Sequence, residues 1–238
     1  PFVRRHAAHS VLCTTLGNND CDLLTVTEDG KDEMPLGTGE DGNGGEDGGT
    51  GGSKKDKKRS ERSTASSSAT SSSASSVHPS RRKKCIVITG RVHPGETQAS
   101  WMMKGILDFL TGDSPQARLL RSLFVFKIVP MLNPDGVFYG NNRCSLAGVD
   151  LNRQWKKPSR TLHPTIYYTK SMIRSEKSMR DVVLYCDLHG HSRKMNVFMC
   201  GCDDKKKPRP MTRIFPKLLS WNTLGKKYLS FQDCSFAV

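Results

Sequence analysis

The clearest pattern of apolar and polar positions lies in residues 84–110. Residues 85–88 form a short apolar run, rich in β-branched side chains, which predicts a buried strand. Apolar residues then recur with the spacing of one helix face, at Ala99, Met102, Met103, Ile106, Leu107 and Leu110. The tetrad His93-Pro94-Gly95-Glu96 lies between the two elements. Open α/β sheets bind ligands at this rim, so the tetrad is a candidate site.

Later segments repeat the strand pattern. Residues 123–129 and 181–186 predict two further buried strands, and residues 197–199 predict a fourth. A last strand is expected to begin at Ser235, a helix near Pro164, and a turn at residues 133–136. Residues 11–13 and 21–27 predict two short elements joined by a turn. Strands alternating with helices predict an α/β fold, a mostly parallel mixed sheet with helices on both faces.

The composition changes between residues 28 and 83. An acidic, glycine-rich part leads to a Lys/Arg cluster at 54–62 and then to a serine-rich tract. Almost no apolar residue lies there, so the segment cannot bury enough surface to offset its ordering entropy. We therefore expect a disordered insertion at 28–83 and a folded unit at 84–238. Residues 1–27 are interpreted as the start of that unit, or as a junction with an upstream domain.

The overall composition limits the classes of protein to which this sequence can belong. The sequence shows neither a membrane-spanning run nor a secretory leader, and its start at Pro1 suggests that a natural N-terminus lies further upstream. Eight scattered cysteines without a CxxC pair are typical of reduced thiols in an intracellular protein. A net charge of +14 favours polyanionic partners. No nucleic-acid fold signature is present, so acidic proteins are the favoured partners.

Metal-binding residue types follow two of the predicted strands. A turn that brings the His93 imidazole to the Glu96 carboxylate can supply two of the three protein ligands of zinc. His189 and His191 follow the strand at 181–186 and offer a distant third ligand. A close pair with a distant third ligand is typical of catalytic zinc sites, which keep one position open. The sequence therefore predicts one zinc ion.

Five sequence blocks occur in a characteristic order: His93-Pro94-Gly95-Glu96, Asn133-Pro134-Asp135-Gly136-Val137, Asn142-Arg143-Cys144-Ser145, Asp150-Leu151-Asn152-Arg153 and Asp187-Leu188-His189-Gly190-His191-Ser192. This order resembles that of the zinc metallocarboxypeptidases. The last block and residues 193–199 are similar to the cytosolic carboxypeptidase branch, which trims glutamates from tubulin and related proteins. The resemblance covers about residues 85–202. It implies a metallocarboxypeptidase-like α/β/α catalytic domain at 84–238 that is incomplete at its C-terminal end.

The resemblance also implies a set of zinc ligands. Carried over by position, it makes His93, Glu96 and His189 the ligands, with His189 preferred to His191. Asp150 resembles the carboxylate that orients a zinc-bound histidine, here His93. Such an acceptor makes physical sense because it fixes the tautomer of the ring.

Three further residues are implied to contact the substrate. Arg143 resembles the arginine that stabilises the oxyanion forming on the scissile carbonyl. Asn152 and Arg153 resemble the pair that holds the C-terminal carboxylate of the substrate. A guanidinium suits this task because it can bind both carboxylate oxygens.

The implied reaction is peptide hydrolysis, in which zinc polarises the carbonyl and a carboxylate acts as general base. In the family this base is a Glu well after the third zinc ligand, but the last Glu of this sequence is Glu176. Asp203, Asp204 and Asp233 match no family block. We therefore expect a truncated chain without a general base, which hydrolyses poorly or not at all and exposes an unpaired apolar sheet edge.

Three functions stay open at this point. One is a fragment of an enzyme that removes C-terminal residues, glutamate above all, from acidic tails such as those of polyglutamylated tubulin. Another is an inactive form that binds zinc and acidic tails without cutting them. Nucleic-acid binding through residues 54–62 and 205–209 is disfavoured. The resemblance further implies a cytosolic location and an association with microtubules. Because the sequence contains no membrane-spanning run, we expect no membrane partner.

Overall fold

A computed structural model describes residues 6–28, 82–203, 210–222 and 225–236 of the chain. Its elements, in chain order, are β1 (Ala7–Thr14), β2 (Asp20–Val26), β3 (Lys84–Gly90), α1 (Thr97–Leu110), α2 (Pro115–Leu123), β4 (Phe124–Val129), α3 (Pro134–Phe138), α4 (Pro164–Met179), β5 (Val182–Leu188), α5 (Ile214–Trp221) and α6 (Gly225–Tyr228). Two short 3-10 helices span Leu151–Arg153 and Pro210–Arg213. None of the helices in these ranges is long and apolar enough to cross a bilayer.

The five strands form one mixed sheet in the order β1-β2-β4-β3-β5. β4, β3 and β5 are parallel neighbours, whereas β1 and β2 form an antiparallel hairpin that joins the sheet at β4. Asn18 in the hairpin turn has a φ of 59°, a left-handed conformation that asparagine adopts more readily than most residues. The predicted mixed α/β sheet is confirmed.

Side chains alternate along the strands, so the sheet has two apolar faces. On one face, Ile88 of β3 shares a buried cluster with Met103 of α1. On the opposite face, Val129 of β4 shares a second cluster with Ile166 of α4. Helices therefore cover both faces, and the buried positions of α1 are ones that its spacing predicted.

The helix α2 was not predicted. Its N-cap is Ser114, whose Oγ accepts the backbone N–H of Ala117 at 3.1 Å, and Pro115 occupies the first turn. Its best-buried large side chain is Arg121, which donates from Nη1 to the carbonyl oxygens of Leu110 and Gly112 at 2.7 and 2.8 Å. The helix was missed because this buried position holds a cation that caps the end of α1. A search for periodic apolar residues would detect only an apolar side chain there.

Two other predictions are wrong in detail. Within the described residues, 197–199 form no strand: Val197 makes only an isolated bridge, as does Ser235 at the end of the chain. The segment predicted as a turn at 133–136 instead begins α3, because the side chain of Asn133 accepts the N–H of Gly136 at 2.9 Å. An Asn-Pro pair suits an N-cap and first helical turn as well as a turn.

The predicted insertion at 28–83 lies mostly outside the described residues. Its two ends meet at one place, because the Glu28 N–H and the Lys83 ammonium both donate to the carbonyl oxygen of Arg121, at 3.2 and 3.0 Å. At the β5 edge of the sheet, Val183 and Tyr185 are 48% and 42% exposed.

Candidate metal centre

The loop between β3 and α1 carries the first two candidate ligands. Arg91, with a φ of 56°, donates from Nε to the Pro94 carbonyl and from Nη1 to Ser100 Oγ, both at 2.7 Å. The Gly95 N–H donates to the carbonyl oxygen of Asn142 at 2.7 Å, and a Cβ on Gly95 would lie 2.9 Å from that oxygen. The loop is thus held by the Arg91 side chain and by Asn142, and only glycine fits its centre.

The structure brings His93, Glu96 and His189 together. One ligand atom from each lies within 4.8 Å of the others. The Nδ1 atoms of His93 and His189 lie 2.8 and 3.0 Å from the two oxygens of Glu96. His189 reaches the cluster because it follows β5, the parallel neighbour of β3, so that both strands end at the same edge.

Each histidine presents its other ring nitrogen to a second carboxylate. Nε2 of His93 donates to Asp150 at 3.1 Å, and Nε2 of His189 donates to Asp187 at 2.9 Å. Because a carboxylate only accepts, Nε2 carries a hydrogen, and in a metal-free ring the Nδ1 that faces Glu96 would need one as well. A cation bound between Nδ1 and Glu96 would take the place of that second hydrogen and leave Nε2–H on the aspartate. Two imidazoles and one carboxylate fit zinc.

The charged neighbours at the centre also shift two pKa values. The hydrogen bond to Asp187 raises the pKa of His189 above its usual value, against the opposing effect of burial. Burial favours the neutral form of Asp150, but hydrogen bonds from His93, the Asn152 backbone and Arg143 outweigh it and lower the Asp150 pKa. Asp150 therefore stays ionised as the acceptor for His93.

Asp150 also connects the centre to Arg143. Nε and Nη2 of Arg143 donate to Asp150 Oδ2 at 2.9 and 2.8 Å. The other oxygen of Asp150 accepts the Asn152 N–H at 2.9 Å and begins the 3-10 helix. The Arg143 side chain is 48% exposed, so its guanidinium is open to solvent beside the histidine.

The predicted carboxylate-binding residues lie on this 3-10 helix. Asn152 Oδ1 accepts the indole N–H of Trp155 at 3.1 Å. Since an indole only donates, this bond identifies the amide oxygen and leaves the Asn152 NH2 group as a donor for another molecule. Arg153 is exposed, and its side chain makes no ion pair with the described residues.

His191 lies outside the cluster. Its Nδ1 accepts the backbone N–H groups of Arg193 and Lys194 at 3.1 and 2.9 Å, and the residue is exposed. The residue that sequence reasoning missed is Asp187. A signal for it was present, because a residue two positions before His189 at a strand end points to the same side as the ligand.

The described carboxylates near the centre are all engaged. Glu96 faces both histidines, while Asp150 and Asp187 each accept from one histidine. Glu176 of α4 pairs with Lys127 of β4, away from the centre. Among the described residues, therefore, no carboxylate at the centre is left without such a partner.

Two histidines and one glutamate lie together at the ends of the parallel strands of an open α/β sheet, and this donor set fits a zinc site. The zinc carboxypeptidase family model matches residues 12–220. The chain belongs to this family, whose cofactor is zinc, and the predicted resemblance is confirmed.

The curated relatives are cytosolic carboxypeptidases. Cytosolic carboxypeptidase 2 of Xenopus tropicalis is 56% identical over 159 residues, which is 66% of this chain and 16% of that protein. Cytosolic carboxypeptidase 3 of Bos taurus is 52% identical over 162 residues, which is 67% of this chain and 16% of that protein. Cytosolic carboxypeptidase 1 of Xenopus laevis is 46% identical over 197 residues, which is 82% of this chain and 13% of that protein. The chain thus spans only a small part of the relatives that it matches.

Solved structures show the same fold at low sequence identity. The metallo-carboxypeptidase of Burkholderia cenocepacia matches with a TM-score of 0.66 and 22% identity, over 99% of this chain and 50% of that one. A metallo-carboxypeptidase of Pseudomonas aeruginosa matches with a TM-score of 0.63 and 21% identity, over 93% and 46%. The metallocarboxypeptidase-like sheet predicted from the sequence is confirmed.

Proposed function

We propose that this chain supplies the zinc-binding and substrate-binding residues of a metallocarboxypeptidase. The main support for this proposal is that His93, Glu96 and His189 lie together. In addition, Nε2 of each histidine donates to a carboxylate. Zinc held by these three side chains would supply a Lewis acid for the carbonyl of the peptide bond and for water.

The remaining residues act on the substrate. Asn152, through its NH2 group, and Arg153, through its exposed guanidinium, bind the C-terminal carboxylate and so limit the reaction to chain ends. Arg143 stabilises the negative charge that develops on the carbonyl oxygen. Its bond to Asp150 fixes where that guanidinium stands, beside His93.

The substrate class is an acidic protein tail, such as that of polyglutamylated tubulin, from which C-terminal glutamates are removed. The support is the net charge of +14 and the family resemblance of the sequence blocks. The relatives are named cytosolic, and we infer the cytosol, with microtubule association, as the location. Cosedimentation with polyglutamylated and unmodified microtubules tests the partner: equal pelleting would contradict it.

A second candidate function is binding without cleavage. It is favoured by the engagement of every described carboxylate at the centre and by the lack of any Glu after Glu176. The 238-residue polypeptide alone is therefore proposed to hold zinc and an acidic tail, and to need a general base from elsewhere for turnover. Nucleic-acid binding has less support, and its two basic stretches lie outside the described residues.

Metal analysis of matched histidine variants tests the ligand set. We expect one zinc per chain in the unsubstituted protein and in His191→Ala, because His191 lies outside the cluster. His189→Ala removes one of three ligands and should lose the metal on dialysis. Stoichiometric zinc in His189→Ala would refute the ligand assignment.

A peptide assay separates the two functions. Glutamate-rich peptides with a free or an amidated C-terminus are compared for binding by fluorescence polarisation and for cleavage by mass spectrometry. Preference for the free carboxylate supports the assignment of Asn152 and Arg153, and equal binding refutes it. Turnover by the 238-residue protein would refute the binding-only candidate.

A further inference from the structure

A second carboxylate holds His189 in the way that Asp150 holds His93. Oδ2 of Asp187 accepts the Nε2–H of His189 at 2.9 Å, and the Asp187 side chain is 12% exposed. Both histidines thus turn Nε2 toward an aspartate and Nδ1 toward Glu96. The two arrangements are alike although one aspartate follows its histidine in the chain and the other precedes it.

We propose that Asp187 is a positioning residue, which fixes the ring orientation and tautomer of His189 for zinc. This inference rests on the zinc ligands of the proposed function. The physical basis is that a ligating histidine donates its second ring N–H to an acceptor, and that a charged acceptor raises the basicity of the ligating nitrogen.

Asp187 is itself held by the neighbouring strand. Thr89 of β3 lies opposite Asp187 of β5 in the parallel ladder, and its hydroxyl donates to Asp187 Oδ1 at 2.8 Å. Thr89 is fully buried, and Tyr185 Oη lies 3.1 Å from its Oγ1. Because the threonine proton points at the carboxylate, the Tyr185 hydroxyl donates to the threonine oxygen. A chain of donors therefore orients the carboxylate that orients the histidine.

The test measures zinc affinity by chelator competition in Asp187→Asn. The substitution keeps the shape of the side chain but removes the charge that holds the Nε2–H. We expect zinc binding to weaken about 10- to 100-fold, the usual loss when such a partner is removed. Asp181→Asn is the matched control, because Asp181 is exposed and directly precedes β5. The control should change zinc affinity less than about twofold.

Two further measurements separate positioning from a loss of folding. Thr89→Val removes only the hydroxyl, and should weaken zinc binding several-fold by loosening Asp187. Long-range nitrogen–proton NMR of the zinc-loaded protein should show the His189 Nε2 proton, with its resonance displaced in Asp187→Asn and unchanged in Asp181→Asn. A merely structural aspartate would lower the thermal stability of the metal-free protein and leave this resonance unmoved.

The outcomes are distinct. Unchanged zinc affinity in Asp187→Asn, or an equal loss in Asp181→Asn, overturns the role of Asp187 and leaves the proposed function standing. Absence of stoichiometric zinc from the unsubstituted protein overturns the proposed function, and the role of Asp187 with it. Weaker zinc binding with a displaced His189 resonance supports the proposal.

Discussion

Replacing Glu176 should destabilise the fold strongly, because its carboxylate neutralises two cations inside the protein. Its oxygens lie 3.3 Å from Lys127 Nζ and 3.1 Å from Arg180 Nε, and the three side chains are 4%, 9% and 6% exposed. Removing one partner of a buried ion pair costs about 3–5 kcal/mol, since the remaining charge stays buried. We expect a loss in the free energy of unfolding near the lower end of this range for Glu176→Gln, which preserves the shape.

The assay is urea unfolding followed by circular dichroism, with and without zinc. Asp108→Asn is the matched control: Asp108 pairs with Lys104 one turn away on α1, and both side chains are more than 60% exposed. Exposed helix pairs contribute about 0.3–0.5 kcal/mol, so this variant should barely change the midpoint. Each of the two substitutions removes one carboxylate from an ion pair. The difference between their losses in the free energy of unfolding therefore measures the effect of burial.

A double substitution tests the reason for the loss. Lys127→Met removes a buried cation of β4. The double variant Lys127→Met/Glu176→Gln should therefore lose less free energy of unfolding than the sum of the losses in the two single variants. Coupling between contacting residues usually amounts to about 0.5–3 kcal/mol. Strict additivity, or a Glu176→Gln loss no larger than that of Asp108→Asn, would refute the reasoning.

Two further predictions concern peptide affinity and the length of the segment after β2. Trp155→Phe removes the N–H that orients Asn152, so affinity for a peptide with a free C-terminus should fall several-fold, by about 1 kcal/mol. The amidated peptide should bind unchanged, and the exposed Trp101→Phe is the control. Replacing residues 30–80, predicted to be disordered, by a linker of about six residues should stabilise the protein by up to about 2 kcal/mol, since each halving of a loop contributes about 0.6. Thermal unfolding measures this change, and a large loss of stability would contradict the prediction of disorder.

Local patterns explain which parts of the molecule could be predicted. β3 and α1 can be predicted from the spacing of their apolar residues. His93 and Glu96 lie in the one loop that joins these two elements, so the pair can be identified without knowledge of any distant contact. α2 escaped because its main buried contact is made by Arg121, which caps α1 through the Leu110 carbonyl. Such a contact depends on the tertiary arrangement, and a guanidinium in the sequence predicts a surface position.

The role of Asp187 depends on strand register, which no motif encodes. The ladder between β3 and β5 is irregular between Cys85 and Ile86, where Val183 of β5 is passed over and Ile86 pairs with Leu184. With this shift Thr89 lies opposite Asp187; a regular ladder continued from Cys85 would place Cys186 there instead. A one-residue slip also turns every side chain of a strand to the other face. The hydroxyl that holds Asp187 could therefore be identified only after the strands were paired, even though both residues stand beside recognised motifs.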